Sequence, residues 1–179
     1  MDTKVSGCIV TYNEEDMIEE CVSSVLHHTE QLDFTLYVSD NKSKDRTVEI
    51  MKEKFPKVVL LENKKNGGFG DGHNKIIKQL DSEFHVVINP DIILKENTIE
   101  TLVEYLKNNE NVAMVTPKIL NEDGSEQYLP KCNPRFSYVI LSKFKPFRFY
   151  RRLYTRQDEC LSEPTNVEFC TGCFFVIRT

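Results

Sequence analysis

Residues 5–28 read VSGCIVTYNEEDMIEECVSSVLHH, and the two halves of this stretch differ in period. Residues 5–12 are a short, continuous apolar run, which predicts a strand buried on both faces. From 14 to 28 the apolar residues Met17, Ile18, Cys21, Val22, Val25 and Leu26 recur at helical spacing. Asn13 is placed to cap that helix, with Asp16 three residues on as a partial capping box. A buried strand feeding an amphipathic helix is the repeating unit of an α/β sheet.

The unit recurs downstream. FTLYVSD (34–40) predicts a second strand, DRTVEIMKEKF (45–55) a helix and KVVLLEN (57–63) a third strand. A helix through HNKIIKQL (73–80) precedes a strand at FHVVINPD (84–91), a helix at ENTIETLVEYLKNN (96–109) and a fifth strand at NVAMVTPKIL (111–120). The expected fold class is α/β, a Rossmann-like, mostly parallel sheet with helices on both faces. The alternation stops at 120. NEDGSEQ (121–127) predicts the turn of a small hairpin, and NVEFCTGCFFVIRT (166–179) one more strand. Residues 1–120 and 121–179 are therefore expected to be separate regions.

Composition narrows the possibilities. The chain has 179 residues, 40% hydrophobic and 28% charged, enough to bury a core and too apolar for disorder. No apolar run approaches a membrane span. The first residues lack the layout of a signal peptide, which makes a cytoplasmic location the expectation. Six unevenly spaced cysteines fit reduced thiols better than a disulfide framework. Cys170 and Cys173 form a C-x-x-C inside an apolar strand with no second pair to complete a zinc site, so core packing is expected.

The net charge of −5 hides an asymmetry, because residues 131–157 carry eight Lys/Arg and no acid. Within them KFKPFRFYRRLYTR (143–156) interleaves basic and aromatic residues. It reads as a mobile arm or a segment packing against further chain, as a peripheral contact with an anionic membrane face, or as a nucleic-acid surface. The acidity of the remaining chain argues against nucleic acid.

The polar residues gather at strand ends. Thr11-Tyr12-Asn13 ends the first strand, Asp40-Asn41 the second, Asn63 and Asn66 the third, and Asn89-Pro90-Asp91 the fourth. In an open parallel sheet ligands bind beyond these carboxyl ends. Gly67, Gly68, Gly70 and Gly72 crowd the same edge. The spacing from Gly67 to Gly72 fits a P-loop, but His73-Asn74 stands where Lys-Ser/Thr is needed. A dinucleotide fingerprint would follow the first strand, not the third. Two readings remain: a close-approach loop before a helix N-terminus that hosts an anion, or a turn needed for tight helix-to-sheet packing. His73 is placed either to meet a phosphate or simply to start the helix. Asp91 can hold a divalent cation or close a turn after Pro90, and Asp40 has the same ordinary alternative.

Taken in order, VTYNEED, VSDNKSKDRT, NGGFGDGHN, VVINPD and FCTGCFFVIR resemble the family 2 glycosyltransferases of GT-A fold, in particular the rhamnosyltransferase-like branch. The resemblance covers nearly the whole chain. It implies an inverting transfer from a nucleotide-diphosphate sugar to the hydroxyl of a saccharide or lipid-linked saccharide acceptor, in cell-surface polysaccharide synthesis. By motif position it implies donor-binding roles for Thr11, Tyr12, Asn13, Asp40, Asn41, Asn66, Gly67, Gly68, Phe69, Gly70, Asn89 and Gly172. Asp91 would hold Mg²⁺ or Mn²⁺. Residues 1–120 would then be the donor domain and 121–179 the start of an acceptor-side region.

Two departures accompany the resemblance. Asn89 stands where the family has the first acid of a D-x-D pair. The family's catalytic base lies downstream of the strand that Phe169–Ile177 resembles, so it is expected beyond Thr179, in a part absent from a truncated chain. The competing functions are a nucleotidyltransferase, which wants a glycine loop with Lys/Arg after the first strand, and a non-catalytic nucleotide-sugar-binding module.

Overall fold

The structure is a computed structural model that describes residues 3–127, 154, 156, 163–170 and 172–179. The stretch 143–156, Tyr154 and Arg156 apart, lies outside the described residues, as do Cys132 and Cys160. The chain divides into two compact units, Met1–Pro117 with Gly172–Thr179, and Lys118–Thr171.

The first unit is built on one sheet. Its strands are β1 (Lys4–Thr11), β2 (Asp33–Asp40), β3 (Val59–Glu62), β4 (Phe84–Ile88), β5 (Met114–Val115) and, after the second unit, β8 (Phe174–Arg178). They run in the order β3-β2-β1-β4-β8-β5. β1 pairs parallel with β2 and β4, with Ile9 opposite Val38 on one side and Ile88 on the other. β8 runs antiparallel to β4 and β5. β1 and β4 are buried almost throughout, which is why their sequences are continuous rather than alternating.

Four helices cover the sheet: α1 (Ile18–His27), α2 (Thr47–Lys54), α3 (Gly68–Ile77) and α4 (Thr98–Asn108). α1 buries Ile18, Cys21, Val22 and Val25, and α4 buries Ile99, Leu102, Val103 and Leu106. Both sets follow one helical stripe, and each fully buried aliphatic side chain contributes about 2 kcal/mol. Ile76 of α3 packs on Cys8 and Val10 of β1. Cys8 and Cys21 are buried free thiols, and burial pushes both up to about 12, so neither ionises at neutral pH. Cys170 and Cys173 are only partly buried.

Several boundaries differ from the sequence reading, among them the last strand, which begins at Phe174 and not at 166 and so leaves Cys170 and Cys173 outside it. α1 starts at Ile18, not at 14, because Asn13 takes a left-handed backbone (φ 59°) and does not cap it. The run 111–120 splits: Thr116 and Pro117 separate β5 from β6 (Ile119–Leu120), and proline has no N–H to continue a ladder. The glycine stretch is not a loop ahead of a helix; Gly68, Gly70 and Gly72 lie inside α3.

In the second unit β6 pairs antiparallel with β7 (Glu126–Gln127). Gly124 sits at φ 82°, and Asp123 Oδ1 accepts from Ser125 N, which closes the hairpin expected at 121–127.

Candidate active site

The order of the sheet reverses between β1 and β4, since β2 lies on one side of β1 and β4 on the other. That switch point is where an open α/β sheet leaves a crevice at its carboxyl edge. A cleft of about 430 Å³ lies there, walled by Thr11 and Tyr12 after β1, Asn41 after β2, Asn89, Pro90 and Asp91 after β4, and Asn66, Gly68 and Phe69 at the start of α3. Val10, Glu14 and Met17 complete the lining.

The rim is stitched by hydrogen bonds between the segments that follow β1 and β2. Lys44 N donates to Asn13 Oδ1 at 2.8 Å, and Asn13 N to Ser43 Oγ at 2.9 Å. Glu14 N donates to Thr47 Oγ1, and Arg46 N to Glu15 Oε2, each at 2.9 Å. Asp40 sits beneath them, 2% exposed. Its carboxylate accepts from Thr11 Oγ1 (3.1 Å), Ser43 N (3.0 Å) and Ser43 Oγ. A buried carboxylate with this many donors is fixed in place.

The glycines divide between the two readings left open by the sequence. A Cβ on Gly72 would lie 2.7 Å from Val10, so this glycine serves close helix-to-sheet packing. Gly68 needs its conformation, φ 79°, at the lip of the cleft, where its N–H donates to Asn66 Oδ1 at 2.9 Å. Gly67 in the N-cap position brings no side-chain oxygen to the first turn of α3. The Gly68 amide is taken by Asn66 and the Asp71 carboxylate lies against Gly67, so an anion at this end would have to use the amides that follow Gly68, with the positive end of the helix dipole behind them.

Of the residues expected to bind donor or metal, Thr11, Tyr12, Asn41, Asn66, Gly68, Phe69, Asn89 and Asp91 line one cleft. Asn13, Asp40, Gly67 and Gly70, expected to bind the donor, are not among its described lining. Gly172 lies next to Phe69, whose ring comes within 3.8 Å of the position of an added Cβ. His73 turns away from the phosphate role considered for it. It is 4% exposed and packs edge-on to Phe69, with ring centroids 4.3 Å apart. Its ring nitrogens have no hydrogen-bond partner among the described residues. Burial pulls it down to about 4, so it is neutral.

Sequence reasoning missed Glu14, Val10, Met17 and Pro90. Glu14 is the informative one, because acids at a helix start are ordinary and the run 14–16 was read as the start of α1. With α1 beginning at Ile18, Glu14 is free to face the cleft. Its carboxyl is held above the usual range by burial, then by the charges of Asp91 and Asp45.

No Lys, Arg or His is among the described residues that line the cleft. Two carboxylates, Glu14 and Asp91, and the first turn of α3 would face any bound diphosphate. This arrangement fits a divalent cation that takes one or two protein carboxylates and completes its shell with phosphate oxygens and water. It does not fit an all-protein cage, and no group of three ligating side chains occurs among the described residues.

A mostly parallel sheet with this crevice is the architecture of the GT-A fold, and the chain belongs to a family of that fold. Residues 6–179 match glycosyl transferase family 2. Poly(ribitol-phosphate) beta-glucosyltransferase of Bacillus spizizenii is 30% identical over 98% of this chain and 29% of its own length. N-acetylglucosaminyl-diphospho-decaprenol L-rhamnosyltransferase of Mycobacterium tuberculosis is 24% identical over 94% of this chain and 59% of its own. The mannosyltransferase PcManGT of Pyrobaculum calidifontis, solved with GDP-Man and Mn²⁺, shares the fold with a TM-score of 0.64 at 18% identity, over 99% of this chain and 45% of its own. The chain thus spans between about a third and three fifths of the length of these proteins. None of its described helices is long and apolar enough to cross a membrane.

Proposed function

We propose that this chain is the donor-binding part of an inverting glycosyltransferase that moves a sugar from a nucleotide-diphosphate sugar to an acceptor hydroxyl. The observation that carries this reading is the make-up of the cleft. The start of α3, Asp91 and Glu14 all line it, and no basic side chain is among its described lining. A nucleotidyltransferase would place a glycine loop with Lys/Arg after β1, where this chain has Tyr12-Asn13-Glu14-Glu15.

Each wall has a part in the chemistry. Thr11 and Tyr12, on a rim held by Asp40 and Asn13, receive the nucleoside. Asn66, Gly68 and the first turn of α3 receive the diphosphate, with Gly67 and Gly70 giving the backbone its close approach. Asn89, Phe69 and Gly172 border the sugar. Asp91, with Glu14 beside it, would hold Mg²⁺ or Mn²⁺, which supplies positive charge to the departing diphosphate. The acceptor hydroxyl attacks the anomeric carbon from the face opposite the diphosphate, and the configuration inverts. No residue of this chain is assigned as the base that takes its proton.

The names of the relatives support an acceptor in cell-surface polysaccharide synthesis, either a saccharide or a lipid-linked saccharide. Peripheral contact at the inner membrane face would suit such an acceptor. Calorimetric titration with UDP, dTDP and GDP, each with and without Mn²⁺, tests the reading. Cation-dependent binding of one diphosphate is expected, and binding of a triphosphate alone would overturn it.

A further inference from the structure

A chain of side-chain hydrogen bonds leaves α3, crosses the ends of two strands and returns to the glycine turn. Lys75 Nζ pairs with Asp71 Oδ2 at 2.6 Å and donates to Asn63 Oδ1 at 2.9 Å. Asn63 Nδ2 donates to Ser39 Oγ at 2.9 Å and to Asn41 Oδ1 at 3.3 Å. Asn41 Nδ2 donates to the carbonyl oxygen of Gly68 at 3.1 Å. Asn63 and Asn41 are buried, 9% and 2% exposed. Neither Lys75 nor Asn63 lines the cleft, but Gly68 does.

We propose that Lys75 and Asn63 are positioning residues that set the glycine turn for its diphosphate, with Lys75 fixing the direction of the whole chain. The reason is chemical. An ammonium group only donates, so Asn63 must present its oxygen to Lys75 and its NH₂ to Asn41. Asn41 must then present its oxygen to Asn63, which leaves its NH₂ for Gly68. Every donor meets an acceptor in this one polarity. An acceptor at position 75 would reverse it and set the Asn41 oxygen against the Gly68 carbonyl, two acceptors face to face. Gly68, in a backbone conformation few residues adopt, is thereby held at its carbonyl by Asn41 and at its N–H by Asn66.

The proposal rests on the donor-site reading, and the test separates the two. Lys75→Met, Lys75→Arg and Lys75→Glu are titrated with UDP, dTDP and GDP and with uridine, thymidine and guanosine. Lys75→Met is expected to weaken the diphosphate that the wild type binds by about tenfold and its nucleoside by less than about twofold. Lys75→Arg, a donor-only cation, should recover the diphosphate to within about threefold, and Lys75→Glu should fall below Lys75→Met. Equal losses for diphosphate and nucleoside, or no loss for either, would overturn the proposal.

Amide exchange in the ligand-free protein gives a readout that needs no nucleotide. The Gly68–Gly72 amides should exchange about tenfold faster in Lys75→Met, with β1 unchanged. If the wild type binds no nucleotide, the donor reading fails, and this arm still decides whether Lys75 sets the turn. Unchanged exchange there would count against it.

Discussion

Glu14 and Asp91 reach one cleft from different strand ends, and the charge of Asp91 helps to hold the Glu14 carboxyl above its usual range, after burial. Two acids brought together without a basic neighbour in the lining repel each other unless a cation lies between them or one is protonated. Asn89, two residues before Asp91, carries no charge, so Glu14 is the second carboxylate of the cleft's described lining.

Replacing Asp91 with Asn should therefore remove the Mn²⁺ dependence of nucleotide diphosphate binding. The expected loss of affinity in the presence of Mn²⁺ is at least about tenfold. Glu14→Gln should give a smaller loss, about threefold, since Asp91 stays in place. Calorimetry on both variants checks this, and an unaffected Asp91→Asn protein would remove Asp91 from the site.

Two glycines of α3 should respond to alanine in opposite directions. At Gly72 the added methyl meets Val10 at 2.7 Å, and overpacking should cost about 1–3 kcal/mol. At Gly70 nothing lies within 4 Å of the added carbon, so alanine's helix propensity should stabilise by about 0.5–1 kcal/mol. Urea denaturation of the two variants measures both signs.

The buried histidines should make the fold acid-labile. His73 and His85 are held at about 4 by burial, against 6.5 in the unfolded chain, and His85 also feels His73. Below pH 6.5 the unfolded chain takes up protons that the native chain refuses until about pH 4. Stability is therefore present above pH 6.5 and is lost as pH falls towards 4, about 3 kcal/mol for each histidine. His73→Met should flatten the slope of stability against pH by up to one proton over this range, measured by urea denaturation at several pH values. An unchanged slope would show that His73 is not buried neutral.

Much of the fold was legible from period alone. β1, β4, α1 and α4 bury stripes that the sequence displays without ambiguity, because their partners lie on both sides or along one face. The site was legible as a place, since polar residues at several strand ends share one sheet edge. What the sequence could not show was how loops fold on one another. Asn13 looked like a cap, and only its left-handed backbone and the bond from Lys44 reveal a rim residue. Glu14 was hidden within an acidic run, and His73 read as a phosphate contact or a helix-start residue, whereas its ring is buried. The glycines looked alike, yet Gly72 answers to Val10 and Gly68 to the cleft.

The claim on which the rest depends is that the crevice between β1 and β4 receives a nucleoside diphosphate. Amide chemical shifts followed during titration with UDP, dTDP and GDP in Mg²⁺ test it most directly. The expected result is one nucleotide shifting Thr11–Tyr12, Asn66–Phe69 and Asn89–Asp91 (Pro90, without an amide, aside) with a common dissociation constant. Shifts confined to the opposite sheet edge, around Thr3 and Gln31–Asp33, or no shifts with any of the three nucleotides, would contradict it.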